Sequence, residues 1–304
     1  MQAVELKKFG SVDVLESVEK VQPILNSKQV LIANQAVAID PYDVKFVAGQ
    51  MGEADKLPLV PGSTVVGKIL AVGSAVSAFK VGDRVAATRH HQTYAQEVAV
   101  GQSALALVPN ELSDEIAAAA SLGGAMGYQA IKYDLAVQAG EKILIQGGAG
   151  AVGSVAVQMA LLAGATVFAT ASPKDFAYLK SLGPVTPIDY QSDYEQNLSD
   201  FDGVLDTVGG AFLVKAAKVL RPGGKLRTLQ NFEANLLATY ELDATSIFLK
   251  GKGKELAELL ALLAQQTVKI RIGTVRPFTL GNLRWAHQAM RDHQAPGKIV
   301  LTFA

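Results

Sequence analysis

From Ile143 to Pro173 the chain carries no charged residue, yet Gly147, Gly148, Gly150, Gly153 and Gly164 interrupt that stretch. Few folds accept both features together. The run is long enough to cross a bilayer as one helix. The glycines divide it into strand, turn, helix and strand, which favours a buried βαβ unit whose apolarity comes from burial on both faces of a parallel sheet. Lys142–Gln146 reads as a strand entering the turn. Val152, Val155, Ala156, Met159, Ala160 and Ala163 then fall on one helical face, and Thr166–Thr170 reads as the second strand.

In this setting Gly148, Gly150 and Gly153 fit the pattern G-x-G-x-x-G. A tight turn that lets a pyrophosphate approach the backbone leaves no room for side chains, and the third glycine lets helix and strand pack closely. At the helix start, Ala151 and Val152 offer backbone N–H groups and the positive end of the helix dipole. The competing reading is a structural turn with no ligand. The end of the second strand separates NADH from NADPH. An acid there would hold the ribose 2′-OH. This chain has Thr170-Ala171-Ser172-Pro173-Lys174, a hydroxyl and a cation suited to a 2′-phosphate. NADPH is therefore expected, with Asp175 placed to offset part of the Lys174 charge.

Two regimes of sequence flank this unit. Up to about residue 110, β-type runs (Gln29–Ile39, Val65–Val72, Asp83–Ala87) alternate with glycine and proline, which predicts a β-rich domain. Beyond it, strands at Lys142–Gln146, Thr166–Thr170, Val204–Thr207, Lys225–Leu229 and Ser246–Leu249 alternate with helices, as in an open parallel α/β sheet. Lys254–Gln266 reads as a helix. Val268–Val275 turns β-like again, and a helix at Leu283–His293 and a strand at Lys298–Phe303 close the chain.

Composition narrows the function. Hydrophobic residues are 49% and charged residues 18%, with a formal net charge of zero. That is a globular composition without the basic field that captures nucleic acid or anionic lipid. Cysteine is absent, so disulfides, thiolate metal sites and a cysteine nucleophile are excluded. Early charges in MQAVELKKFG argue against a signal peptide, and a cytoplasmic protein is expected. His90 and His91, in a polar loop, have two readings: proton delivery near neutral pH, or plain solvation.

Further blocks carry a resemblance. They are Asp40-Pro41-Tyr42-Asp43 followed by Gly49, then Val60–Val85, Tyr94–Val100, Ala117–Ile131, Asp206–Gly210 and Gly297–Leu301. In this order they resemble the zinc-independent quinone oxidoreductases of the medium-chain dehydrogenase/reductase superfamily, nearly end to end. The resemblance implies an α/β protein in two parts. A GroES-like β-rich catalytic domain would take residues 1–115 and 270–304, and a Rossmann doubly wound parallel-sheet domain, residues 116–269, would bind NADPH. It implies a cleft holding nicotinamide and a small-molecule electrophile, hydride transfer to a quinone or α,β-unsaturated ketone, and a homodimer. Asp40 and Ser63 stand where zinc relatives carry ligands, so no metal is expected. The family's usual Asn is Asp40 here, and its usual Thr is Met126. By resemblance Asp40, Tyr42, Tyr94 and Tyr128 line the cleft, with Tyr42 or Tyr128 as donor to the carbonyl oxygen; the other reading packs these tyrosines at a domain interface. Tyr190 and Asn231 join Ser172 and Lys174 as implied cofactor contacts. Reduction of a 2-enoyl thioester or nitroalkene, and a non-catalytic NADPH sensor, remain alternatives.

Overall fold

The computed structural model describes residues 1–51, 54–232, 239–292, 294 and 296–304. Its first part runs β1 (Gln2–Leu6), β2 (Leu15–Glu19), β3 (Gln29–Ile39), α1 (Pro41–Val47), β4 (Thr64–Val72), β5 (Arg84–Thr88), β6 (Glu97–Gly101), β7 (Leu105–Leu107) and α2 (Asp114–Ala119). The middle runs α3 (Ala125–Gln129), β8 (Lys142–Gln146), α4 (Ala151–Leu162), β9 (Thr166–Ala171), α5 (Phe176–Ser181), β10 (Val185–Asp189), β11 (Phe201–Asp206), α6 (Ala211–Val219), β12 (Leu220–Thr228) and β13 (Asp243–Ser246). The last part is α7 (Gly253–Ala264), β14 (Ile272–Pro277), α8 (Leu280–Arg291) and β15 (Lys298–Thr302). His293, in the expected last helix, lies outside the described residues. Two compact units emerge: Met1–Gly123 with Gly251–Ala304, and Gly124–Lys250.

The second unit explains the charge-free stretch. Its six strands lie in the order β10-β9-β8-β11-β12-β13, all parallel. Counted from β8 this is 3-2-1-4-5-6, the doubly wound order whose switch point falls between the first and fourth strands. Ile143 and Ile145 of β8 point into one core with Ala156, Val157 and Ala160 of α4. Leu144 points into the opposite core with Phe201, Val204 and Leu213. Both faces of β8 are covered, so its three central residues, Ile143–Ile145, are apolar in succession rather than at every second position. The expected α/β class with a doubly wound sheet is the observed one. The strand expected at Ser246–Leu249 sits earlier, at β13. There Lys225–Thr228 of β12 takes Asp243–Ser246 as its register partner, and Ile247 adds only a single backbone bond to Thr228.

The first unit is built around β3, which is long enough to serve three partners. It pairs β15 at its end, β4 along its length and β6 at its start, all antiparallel. The chain's tail thus returns to the first unit through β15. Helix α7 belongs to this unit as well, whereas the sequence reading extends the cofactor domain to residue 269. A Cβ on Gly253 would fall 2.0 Å from the Leu105 carbonyl oxygen, and only glycine allows the start of α7 that close to β7. Among the described residues no helix is long and apolar enough to cross a membrane.

Candidate cofactor and acceptor sites

In the second unit the chain leaves β8 at Gln146 and turns at once. Gly147 has φ +71°, and its N–H and that of Gly148 bond to Thr170 at the end of β9. A Cβ on Gly148 would lie 2.6 Å from the Ala169 methyl, and one on Gly153 would lie 2.2 Å from the Gly147 carbonyl oxygen. Packing within the protein therefore demands glycine at both positions. Gly150 differs. Its backbone is extended, and a Cβ there would meet only Gly147 O, at 3.2 Å, before opening onto free space. A purely structural turn has the least need of glycine here, while a phosphate approaching the backbone has a direct one. The first helical bond of α4 runs from Ser154 N to Gly150 O. The N–H groups of Ala151, Val152 and Gly153 precede it at the positive end of the helix, with no side-chain cap in their way. These residues fit a pyrophosphate.

The sheet brings the remaining cofactor candidates near this turn, with one exception. Ser172 and the exposed Lys174 follow β9. Tyr190 follows β10, whose Asp189 is in register with Ala171, and Tyr190 N donates to Ala171 O. Hydroxyl, cation and phenol thus leave the carboxyl ends of adjacent strands. Tyr190 stays partly exposed and leans on Phe212 with ring centroids 6.0 Å apart. Asn231 is exposed beyond β12, on the other side of the switch point from Ser172 and Lys174.

Two supports of the switch point were given no role from the sequence. Gln146 donates from Nε2 to the Tyr194 hydroxyl at 2.7 Å and to Phe212 O at 2.9 Å. The buried Asp206 accepts from Val208 N and Gly209 N, both at 2.9 Å, and from Thr228 Oγ1 at 2.7 Å. The second was visible as an acid followed by a turn, Asp206-Thr-Val-Gly-Gly; the first pairs residues 48 apart and has no local signature. Tyr128, also in this unit, is buried and accepts a 2.6 Å bond from Lys132 Nζ.

In the first unit the predicted residues separate into two groups. Asp40 and Tyr94 are buried. Lys298, itself buried, reaches Asp40 Oδ1 at 2.6 Å and Ile39 O at 2.8 Å. Beside this pair Asp43 accepts from Ser63 Oγ at 2.6 Å and from Asp40 N at 3.0 Å. Burial, and then the Asp40 charge, push the Asp43 carboxyl up to about 7. The Tyr94 hydroxyl meets His287 Nε2 at 2.9 Å. Burial, with Asp43 and Asp40 adding to it, holds that phenol well above its ordinary value, and burial pulls the His287 imidazole down to about 3. His287 was missed because a lone histidine inside an amphipathic helix carries no spacing signal.

Tyr42 forms the second group. It is half-buried and lies beside His90 and His91, with ring centroids at 5.1 and 6.2 Å. Burial raises its pKa, so it keeps its proton at neutral pH. Its hydroxyl has no hydrogen-bond partner among the described residues, unlike those of Tyr94 and Tyr128. Burial lowers both imidazoles, so neither is a ready cation or proton source at pH 7. Among the described residues no group of three or more His, Asp or Glu is placed to hold a metal ion.

Comparison with known proteins places the chain. Residues 26–141 match the alcohol dehydrogenase GroES-like domain, and residues 182–301 match the zinc-binding dehydrogenase domain. The chain is 34% identical to a 2-methylene-furan-3-one reductase of Solanum lycopersicum, over 99% of this chain and 79% of the relative. It belongs to the quinone oxidoreductases of the medium-chain dehydrogenase/reductase superfamily. Another member, the NADPH-dependent alkenal/one oxidoreductase of Arabidopsis thaliana, is 31% identical over 99% of this chain and 79% of its own length. Among solved structures, the quinone oxidoreductase from Coxiella burnetii superposes with a TM-score of 0.92 at 28% identity, covering 99% of this chain and 98% of that one.

Proposed function

We propose that this protein is an NADPH-dependent reductase of quinones and α,β-unsaturated carbonyl compounds. The observation that carries the reading is the glycine turn between β8 and α4, with Ser172, Lys174 and Tyr190 leaving the ends of the two neighbouring strands. Gly148, Gly150 and Gly153 with the N–H groups of Ala151 and Val152 would hold the pyrophosphate. Ser172, Lys174 and Tyr190 would hold the 2′-phosphate, and Asn231 would contact the cofactor farther along the sheet. NADPH, when bound, supplies the hydride.

The chain's own task is then to bind the acceptor, to stabilise negative charge on its oxygen and to deliver a proton. Tyr42 is the donor we assign: it is protonated at neutral pH, partly exposed, and free of a competing partner among the described residues. Asp40 and Tyr94 act as the buried frame that fixes the start of α1, from which Tyr42 projects. Tyr128, whose hydroxyl already takes the Lys132 ammonium, is not the donor we assign. Each turnover takes one proton from solvent, replenishing the phenol. We further assign the first unit to the acceptor and the second to the cofactor, and expect a cytoplasmic homodimer.

The test is NADPH oxidation by the purified protein, followed by absorbance, with an ortho-quinone and an aliphatic enone as acceptors and NADH as the control cofactor. Acceptor-dependent oxidation that prefers NADPH supports the reading. Tight NADPH binding without turnover of either acceptor overturns it. Tyr42→Phe is expected to lower kcat about 100-fold, within the usual range for a lost proton donor, with KM for NADPH unchanged.

A further inference from the structure

His91 and Gln92 are consecutive non-glycine residues with left-handed backbone, φ 69° and 68°. Such backbone costs energy at each position and persists only where its surroundings impose it. Here the loop is clamped from both sides. Arg89 N bonds to Ser63 O at 2.9 Å, Gln92 N to Val60 O at 2.7 Å, and Tyr94 N to Pro61 O at 3.0 Å. The Arg89 guanidinium also holds the Gln92 side chain.

This backbone gathers an aromatic surface. His91 lies on Phe46 with centroids 4.2 Å apart, and His90 lies beside Tyr42 at 5.1 Å. Tyr42 stacks on Phe46 at 6.3 Å and 21°, and Phe46 is braced edge-on by Phe9 at 5.5 Å. Phe46 is buried, Tyr42 and His91 are half-buried, and His90 is exposed on its outer side. The packed base is rigid and the upper rings are reachable. Burial pulls both imidazoles down, and for His91 the neighbouring His90, Arg89 and Lys56 add to this. The rings present neutral π faces rather than cations.

We propose that Tyr42, His90 and His91 form a stacking shelf for a planar conjugated ring, which makes this loop the determinant that favours ring-shaped quinone acceptors over aliphatic enones. The proposal rests on the reductase reading above for its substrate, but not for its ligand chemistry. A flat, neutral, polarisable face gains from offset stacking, whereas a short aliphatic enone offers little area to it.

The test is the double variant His90→Ser/His91→Asn. Asparagine tolerates the left-handed backbone, so the rings are removed while the loop geometry is kept. Affinity for 2-naphthol, a planar ring that accepts no hydride, is measured by titration in wild type and variant, and KM is measured for an ortho-quinone and an aliphatic enone. The expected result is about 10-fold weaker naphthol binding and about 10-fold higher KM for the quinone, with kcat and the enone KM changed less than 2-fold. A second variant, His90→Tyr, keeps a ring at that position and is expected to hold quinone KM within 2-fold of wild type. Equal changes for quinone and enone, or naphthol binding that is unaltered in the double variant, would overturn the shelf. Naphthol binding lost in the double variant, alongside a wild type that reduces neither acceptor, would uphold the shelf and sink the reductase reading instead.

Discussion

Asp206 and Asp40 are both buried carboxylates at the ends of strands, one in each unit, and they are kept in opposite ways. Asp206 takes three neutral donors, two of them backbone N–H groups two and three residues along the chain. Asp40 takes an ammonium from Lys298, 258 residues away, and its Oδ2 has no partner among the described residues. Asp43 and His287 extend that second cluster, and His287 Nδ1 is also without a partner there. A carboxylate held by local amides folds with its own turn. A carboxylate held by a distant ammonium depends on the tail returning to β3, and it is the more exposed to mutation because losing that ammonium leaves a buried charge without a counter-ion.

The largest effect should come from breaking that partner. Lys298→Met leaves Asp40 buried and uncompensated, and should cost about 3–5 kcal/mol in urea unfolding. The double variant Asp40→Asn/Lys298→Met, which removes both charges, should recover most of that loss. If it stays as unstable as Lys298→Met alone, the charge pair is not what distinguishes the two clusters. Asp206→Ala should cost less, about 2–3 kcal/mol, since it strands two N–H groups and one hydroxyl but no charge. A larger loss than for Lys298→Met would reverse the contrast.

The comparison also has a pH signature in the first unit. The folded pKa of His287 is about 3, below the ordinary 6.5. The unfolded chain takes up a proton below pH 6.5 and the folded one does not, so the stabilisation from neutral His287 is present above 6.5 and is lost as pH falls toward 3. Asp43 runs the other way. Its folded pKa is about 7 against an ordinary 3.8, so its contribution is present below 3.8 and is lost as pH rises toward 7. Urea titrations at pH 7, 6 and 5 should show the deficit of His287→Phe, about 1–2 kcal/mol at pH 7, shrinking by up to about 1.4 kcal/mol for each pH unit below 6.5. Asp43→Asn should gain on wild type as pH rises from 4 to 7. Parallel pH curves for wild type and both variants would show that the cluster does not titrate with folding.

What was legible in the sequence follows the same division. Structure carried by neighbouring residues could be read. The glycine turn at Gly148, Gly150 and Gly153 and the bounds of β3 and β8 all come from local spacing. What depends on the meeting of distant segments could not. Asp40 and Lys298 each sit in a recognisable block, but no spacing says that they touch. The helix at 254–266 announces an apolar face without naming the sheet that covers it, so its packing on β7 emerges only from Gly253 against Leu105. His90 and His91 were visible as residues, while the left-handed backbone that turns them onto Tyr42 and Phe46 was not.

The smallest effect tests the local side of the comparison. Lys174 is exposed on a short turn after β9, with Asp175 next to it, so its charge is screened by water and salt. A single charge-assisted contact to a phosphate in that setting is worth about 1.4 kcal/mol, or 10-fold in affinity. Lys174→Ala should therefore weaken NADPH binding about 10-fold and leave NADH within 2-fold, and the NADPH penalty should shrink as ionic strength rises. If NADH weakens equally, Lys174 supports the turn rather than the 2′-phosphate. If neither cofactor responds, Ser172 and Tyr190 carry that recognition, and the triple variant Ser172→Ala/Lys174→Ala/Tyr190→Phe becomes the measurement that decides whether the ends of β9 and β10 read the phosphate at all.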